Sequence, residues 1–326
     1  MNNQEISVTA PVGLAYDRVK LMLFRPFDLG KWFVIGFCAW LAGLGESGGG
    51  FNGGYNFGNS QTQNTQHFRD VMGKAMSFFM ANLYWIIPLA VTVLILLFAL
   101  GMALLWLNSR GKFMFLHCVA LNKAEVGGPW QKFVREGNSL FWFRFVLGLA
   151  GAVACLPLLA AIGVIIGRMI LRGEVEMGGI VLAAGLALLF FLVAIFFTLI
   201  KKFTVDFVVP IMFLRGAKCR AAWREFFGLF KAHIGDFALY VLFQIVLAMA
   251  IGIIMLVAIL LTCCIAGCLM ALPFLGTVVL LPVLVFKRSY SIYFLAQFGP
   301  AYDVFPPETT APTTGLQPLP PAPAAS

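Results

Sequence analysis

The chain has 326 residues, of which 61% are hydrophobic and only 11% charged, with a formal net charge of +9. A soluble domain carries about 25% charged residues, so an ordinary globular enzyme is excluded and a polytopic membrane protein is implied. The first twenty residues, MNNQEISVTAPVGLAYDRVK, hold no apolar core of signal-peptide type, so no cleavage is expected and the first span would serve as the insertion signal.

The charge-poor runs are long enough for membrane helices. In chain order they predict six spans, at 29–44, 83–107, 143–167, 179–200, 237–261 and 267–286. The last two divide one run without charge from Phe237 to Phe286. Fifty residues of helix would measure about 75 Å, against a hydrocarbon core of about 30 Å, so the run must turn back once. The stretch TCCIAGC at 262–268 is the best turn, because Gly267 tolerates a tight conformation. Pro88, Pro157, Pro273 and Pro282 fall within or near the ends of spans, where they kink helices.

Basic residues sort by side. Nineteen of the 23 lysines and arginines fall before span one, between spans two and three, between four and five, or after six, against four on the opposite side. The positive-inside rule then puts both termini in the cytoplasm, with the bacterial inner membrane as the expected location. The expected fold class is all-α: a membrane domain over residues 1–298, with cytoplasmic interfacial helices. The Gly-, Asn- and Gln-rich segment at 47–66 reads as a flexible non-cytoplasmic loop in which Phe51, Tyr55 and Phe57 have no assigned role. Residues 67–81 suit a short amphipathic helix. The Pro-, Ala- and Thr-rich tail, 299–326, reads as disordered.

Three cytoplasm-facing segments look alike: VKLMLFRPFDLGKWFVIGF at 19–37, PWQKFVREGNSLFWFRFVLGL at 129–149 and AWREFFGLFKAHIGDFALYVLF at 222–243. Each passes from basic and aromatic residues through a polar break into a span. They suggest a threefold repeat of amphipathic segment, outward helix and returning helix. Trp223, Phe226, Phe227 and Phe230 share one helical face flanked by Arg220, Arg224 and Lys231, the pattern of a helix in the interface. Trp130, Phe133, Trp223, Arg224 and Phe226 are therefore candidates for lipid or partner contact, packing of that face on the bundle being the equal alternative. Basic residues spread over short loops carry no nucleic-acid-binding motif.

Candidate chemistry is sparse. Cys263, Cys264 and Cys268 lack the spacing of a zinc site. Helix packing is the expectation for them and for Cys38, Cys118 and Cys155, with a disulfide through Cys268 as the alternative. Asp206 lies alone in KKFTVDFVVPIMFLRG, and a buried acid there calls for a partner among Lys201, Lys202 and Arg215. Residues 208–214 would run back along the membrane surface. Gln244 is placed to bond across helices, and Gly163 with Gly167 forms a GxxxG pair for close helix contact. No HExxH, GxSxG or phosphate loop occurs, so no enzyme activity, cofactor or metal is expected.

The segments FRPFDLGKWFVIG and DFVVPIMFLRG with its following AW-x-x-F, together with the repeated helix pairs, resemble a group of uncharacterised bacterial six-span proteins. Over about residues 20–298 the chain is similar in layout to the membrane-domain relatives attached to glycerophosphodiester phosphodiesterases. The catalytic barrel of those enzymes is absent, so the resemblance implies a membrane fold and no hydrolase role. The expected function is non-enzymatic: organising membrane lipids, a membrane-protein partner or a second copy at the cytoplasmic face. The alternative is a transporter or channel for a small or amphiphilic solute.

Overall fold

In a computed structural model, residues 6–44, 82–172, 176–262, 267 and 272–305 are described. Among them the regular structure is helical throughout. Helix α1 (Ala10–Val19) runs into a π-helical turn (Lys20–Phe24) and is followed by α2 (Leu29–Gly43). Helix α3 (Leu83–Leu121) precedes the short α4 (Gly127–Lys132) and α5 (Val134–Arg172). Helix α6 (Met177–Phe203) continues through a π-turn (Thr204–Val208) into α7 (Val209–Arg215). Then come α8 (Cys219–Ala232), α9 (Ile234–Leu261), α10 (Pro273–Val279) and α11 (Leu281–Ala296).

Among the described residues, four helical stretches are long and apolar enough to cross a membrane: Tyr84–Leu121, Val134–Met169, Met177–Arg215 and Ile234–Leu261. None of their most apolar windows is buried inside the protein. The core lies instead at one end of all four. It is built from Phe113–Ala120 at the end of α3, Phe133 and Leu140 around the start of α5, Phe207–Met212 at and after the π-turn, Phe226, and Phe237 and Tyr240 at the start of α9. We call this packed end the hub. Helices α3 and α6–α7 enter it, and α5 and α9 leave it.

The hub is aromatic. Phe207 stacks on Phe226 at 5.4 Å and meets Phe237 edge-on at 5.1 Å, Tyr240 at 4.9 Å and Phe294 at 6.0 Å. Aromatic pairs in these geometries gain about 0.5–1.5 kcal/mol beyond area burial. The ends of the chain close it: Ser7 and Gln297 exchange two hydrogen bonds of 2.8 and 2.9 Å, and Tyr290 donates to the Val8 carbonyl. Arg18 donates to the carbonyls of Val119 and Ala120, the last open acceptors of α3.

The first expected span is a shorter helix than the four long ones. Helix α2 has 15 residues, about 22 Å at 1.5 Å per residue, short of the hydrocarbon thickness. Asp28 starts it by accepting from the N–H groups of Gly30 and Lys31. It lies antiparallel to the hub end of α3. Lys31 reaches Asn122 at 2.8 Å, and Asn108 donates to the carbonyls of Ala42 and Leu44. Segment 29–44 therefore packs beside residues 108–122, the hub end of the membrane-length stretch Tyr84–Leu121. The last expected span is broken. Pro282 has no N–H to continue a helix, so α10 stops at Val279 and α11 begins at Leu281. Pro273 likewise opens a helix, whereas Pro88 and Pro157 lie inside α3 and α5.

Three smaller expectations change. Residues 208–214 continue in line with α6 through the π-turn and do not fold back. Gly163 and Gly167 face open space, and close approaches occur at Gly36 on Val278 and Gly111 on Ala42. The tail is ordered to Phe305: Val304 is buried, Phe305 stacks on Tyr293 at 4.3 Å, and Arg18 sits over the Phe305 ring. Its apolar residues find hub surface that composition alone does not reveal. The loop at 47–66, the helix expected at 67–81, Cys263, Cys264 and Cys268, and the tail from residue 306 lie outside the described residues.

Two outcomes follow. A Cβ at Gly111 would lie 2.6 Å from the backbone of Leu41 and Ala42. Gly111→Val is expected to destabilise by about 3 kcal/mol through overpacking, read as a lowered Tm in detergent. Truncation after residue 305 should leave Tm unchanged, whereas truncation after 298 should cost about 2 kcal/mol of buried apolar contact.

Candidate functional site

Every buried polar or charged side chain among the described residues belongs to a segment that returns to the hub. Asn108, Ser109, Lys112 and His117 are on α3, Thr204 opens the π-turn, and Arg288, Ser289 and Ser291 are on α11. Burial of such groups is costly unless they are hydrogen-bonded. Asn108 is held on three sides, by its bonds to Ala42 and Leu44 and by the Arg144 guanidinium. Ser109 returns its hydroxyl to the Leu105 carbonyl at 2.8 Å.

The π-turn organises the rest. Its wider i→i+5 geometry disturbs the ladder and exposes backbone carbonyls. The Val205 carbonyl accepts from Arg288 Nη1 at 2.6 Å. Asp206, one residue on, pairs with Lys202 at 2.8 Å and accepts from the Tyr240 hydroxyl at 3.0 Å. Gln244 donates to the same hydroxyl at 3.1 Å. The acid thus has a partner that the sequence suggested, Lys202, and one that it did not, Tyr240. Gln244 bonds within its own helix, one turn from Tyr240.

Beside this turn lies a cavity of about 210 Å³, lined by Ala39, Ala42, Lys112, Phe115, Asp206, Leu284, Lys287 and Arg288. Three cations face one carboxylate. Arg288 is 7% exposed, and its Nε and Nη2 have no hydrogen-bond partner. Burial lowers its pKa to about 10, with Asp206 and Tyr240 acting in the opposite sense, so it is charged at neutral pH. Lys287 is pulled down by burial of its stem and by Lys202, and Asp206 opposes this. Sequence reading used Lys287 and Arg288 only as markers of a cytoplasmic exit. The apolar run after them, SYSIYFLA, was the available sign that Arg288 enters a core.

A second feature is a groove of about 730 Å³ on the other side of α11. Leu247, Ala250, Ile251 and Ile254 of α9 line it at the spacing of one helical face, opposite Pro282, Val283 and Phe286. Val19, Lys20, Phe24 and Arg25 close its hub end, and Lys20 sits 4.4 Å over the Tyr16 ring.

The five candidate contact residues separate. Phe133 is buried between Phe113 and Phe213, stacked at 5.8 and 5.1 Å, and Phe226 is 1% exposed. Neither is available to lipid, and their face packs into the bundle. Trp223 is half-buried on Phe143 and Phe226. Trp130 is half-buried edge-on to Trp106, with the Arg110 guanidinium over both rings. Arg224 alone is exposed. Cys38 and Cys118 are buried with sulfurs 3.8 Å apart, in the helix-packing role expected of them.

The described architecture is that of an α-helical membrane protein. The chain belongs to a family of unknown function, DUF7544, whose model matches residues 7–281. No curated protein and no solved structure matches it. These comparisons do not link it to the membrane domains of glycerophosphodiester phosphodiesterases, and that similarity is one of layout.

Removal of the carboxylate should be felt more than removal of its partner. Asp206→Ala takes the nearby acid from Arg288 and Lys287 and the acceptor from the buried Tyr240 hydroxyl, and is expected to cost about 2 kcal/mol, the range for leaving a buried donor unsatisfied. Lys202 is one-third exposed, so Lys202→Gln should cost about 1 kcal/mol or less. Thermal unfolding of the two variants in the same detergent gives the comparison.

Proposed function

We propose that the protein is a non-enzymatic organiser of anionic lipid at the cytoplasmic face of the bacterial inner membrane. The groove carries this reading. Its volume falls within the range of about 300–1,000 Å³ typical of ligand sites. Its walls are apolar residues of a membrane helix, and its hub end bears Lys20 and Arg25. An apolar trough ending in two cations matches an acyl chain joined to an anionic headgroup.

In this reading the hub is cytoplasmic, with both termini inside. Leu44 and Leu281 both sit at the hub, whereas Leu83 and Leu261 are at the far ends of α3 and α9. Four long helices are an even number of crossings, consistent with both termini on one side. Three returning segments, 108–121, 204–215 and 287–296, each end in the hub after an amphipathic segment and an outward path. That arrangement supports a threefold repeat. The transport alternative has less support, because no described polar path runs between the apolar helices, whose windows are unburied.

The test is lipid retention by the full chain in native mass spectrometry, with phosphatidylglycerol and phosphatidylcholine in competition. Each cation near an anionic surface contributes about 1 kcal/mol, so Lys20→Gln with Arg25→Gln should weaken phosphatidylglycerol retention roughly thirtyfold. Ile251→Trp fills the groove and should reduce retention of both lipids. Equal retention by the wild type and both variants would falsify the reading.

A further inference from the structure

We infer that one edge of α8, formed by Arg220, Arg224, Phe227 and Lys231, rests in the anionic headgroup layer of the membrane. The inference rests on the level and orientation of α8 and does not depend on the groove.

Three aromatic partners fix the level. Trp223 packs on Phe143 of α5 at 5.7 Å. Phe226 meets Phe203 of α6 at 5.7 Å and Phe237 of α9 at 5.4 Å. Phe230 meets the same two rings at 5.7 and 5.5 Å. Each partner stands beside a charge that closes an apolar run: Arg144, Lys202 and Asp236 respectively. Hydrocarbon excludes such charges, so the three rings mark the boundary of the membrane, and α8 lies along it.

The orientation follows from the helix period of about 100° per residue. Cys219, Ala222, Trp223 and Phe226 form the face packed on the hub, and an edge flanks it on either side. One edge carries Glu225, the single acid of α8, which bonds Arg215 at 3.0 Å. Arg215 ends the continuous stretch Met177–Arg215, on the far side of the boundary from its apolar run. The Glu225 edge therefore looks away from the apolar helices, and the other edge looks toward them. That second edge holds Arg220, Arg224, Phe227 and Lys231 within about 60° of one another, all exposed. Among the described residues, none of its three cations is paired with an acid. Phe227 is 50% exposed, and Lys231 Nζ sits 4.6 Å over its ring. An apolar ring among cations fits a layer in which the ring meets lipid chains and the cations reach phosphates. Arginine forks suit phosphate oxygens in particular, and basic clusters on amphipathic helices select anionic lipid.

The test reads lipid at α8 itself. Full-length protein carrying Phe227→p-benzoylphenylalanine is placed in nanodiscs of equal phosphatidylglycerol and phosphatidylcholine and irradiated. Mass spectrometry of the peptide that contains position 227 then identifies the attached lipid. Phosphatidylglycerol adducts should exceed phosphatidylcholine adducts about tenfold. Arg220→Gln with Arg224→Gln, both at exposed positions, should bring the two adducts close to equal amounts. Lys20→Gln with Arg25→Gln should leave the tenfold excess unchanged, which separates this edge from the groove. The inference is overturned by equal adducts without the arginine changes, by an excess that survives them, or by one that follows Lys20 and Arg25. Absence of any lipid adduct also overturns it, and would assign the edge to an acidic soluble partner.

Discussion

The bond from Arg288 to the Val205 carbonyl fixes the junction where membrane helices become a packed protein. In a continuous α-helix that carbonyl would be committed to the helix ladder. The π-turn at Thr204–Val208 changes the register of the ladder and leaves the carbonyl open to a donor from α11. The same turn sets Asp206 against Lys202 and Tyr240. One local irregularity thus ties α6, α9 and α11 together at the level where the chain leaves apolar surroundings. Without the bond, a buried guanidinium and a buried carbonyl would both lack partners, and burial of that kind is not tolerated.

The position of this junction accounts for the rest of the fold. Within a bilayer, apolar side chains gain nothing from leaving lipid for one another, so association needs close packing or polar contacts. Along their apolar lengths α5 and α6 meet closely, with Gly151 against Phe197 and Gly179 against Met169, whereas the polar contacts that join helices gather at the hub. There the aromatic cluster around Phe207 and the polar ring of Asn108, Ser109, Thr204 and Arg288 supply shape and hydrogen bonding. Helix α2 belongs to that assembly because Gly111 lets its backbone come near and Asn108 ties down its last carbonyls.

Much of this was legible in the sequence, for identifiable reasons. Long apolar runs and the scarcity of charge define α3, α5, α6 and α9, since a bilayer imposes its own length on the chain. Asp206 stood out because an isolated acid in an apolar run must be neutralised, and Lys202 lies one helical turn before it. The packing of α2 on α3 was not legible, because 29–44 is as apolar as a short span and composition does not distinguish lipid from protein as the apolar neighbour. The same ambiguity hid Phe133 and Phe226, whose aromatic face meets Phe113, Phe213 and Phe207. Tyr240 and Arg288 were missed because their partners are 34 and 83 residues away, beyond any local pattern.

Helix α11 is the wall shared by the cavity and the groove. At about 100° per residue, Pro282, Val283 and Phe286 share one face, and Leu284, Lys287 and Arg288 share the nearly opposite one. Those are the residues that line the groove and the cavity respectively. Further along, the helix is locked into the hub by Tyr290 on Val8 and by Phe294 on Phe207 and Tyr240. Its other end is held as well, with Leu281 and Val285 fully buried in the core. The groove and the cavity thus lie on two faces of one helix, and the Arg288 bond to Val205 joins that helix to the π-turn that carries Asp206.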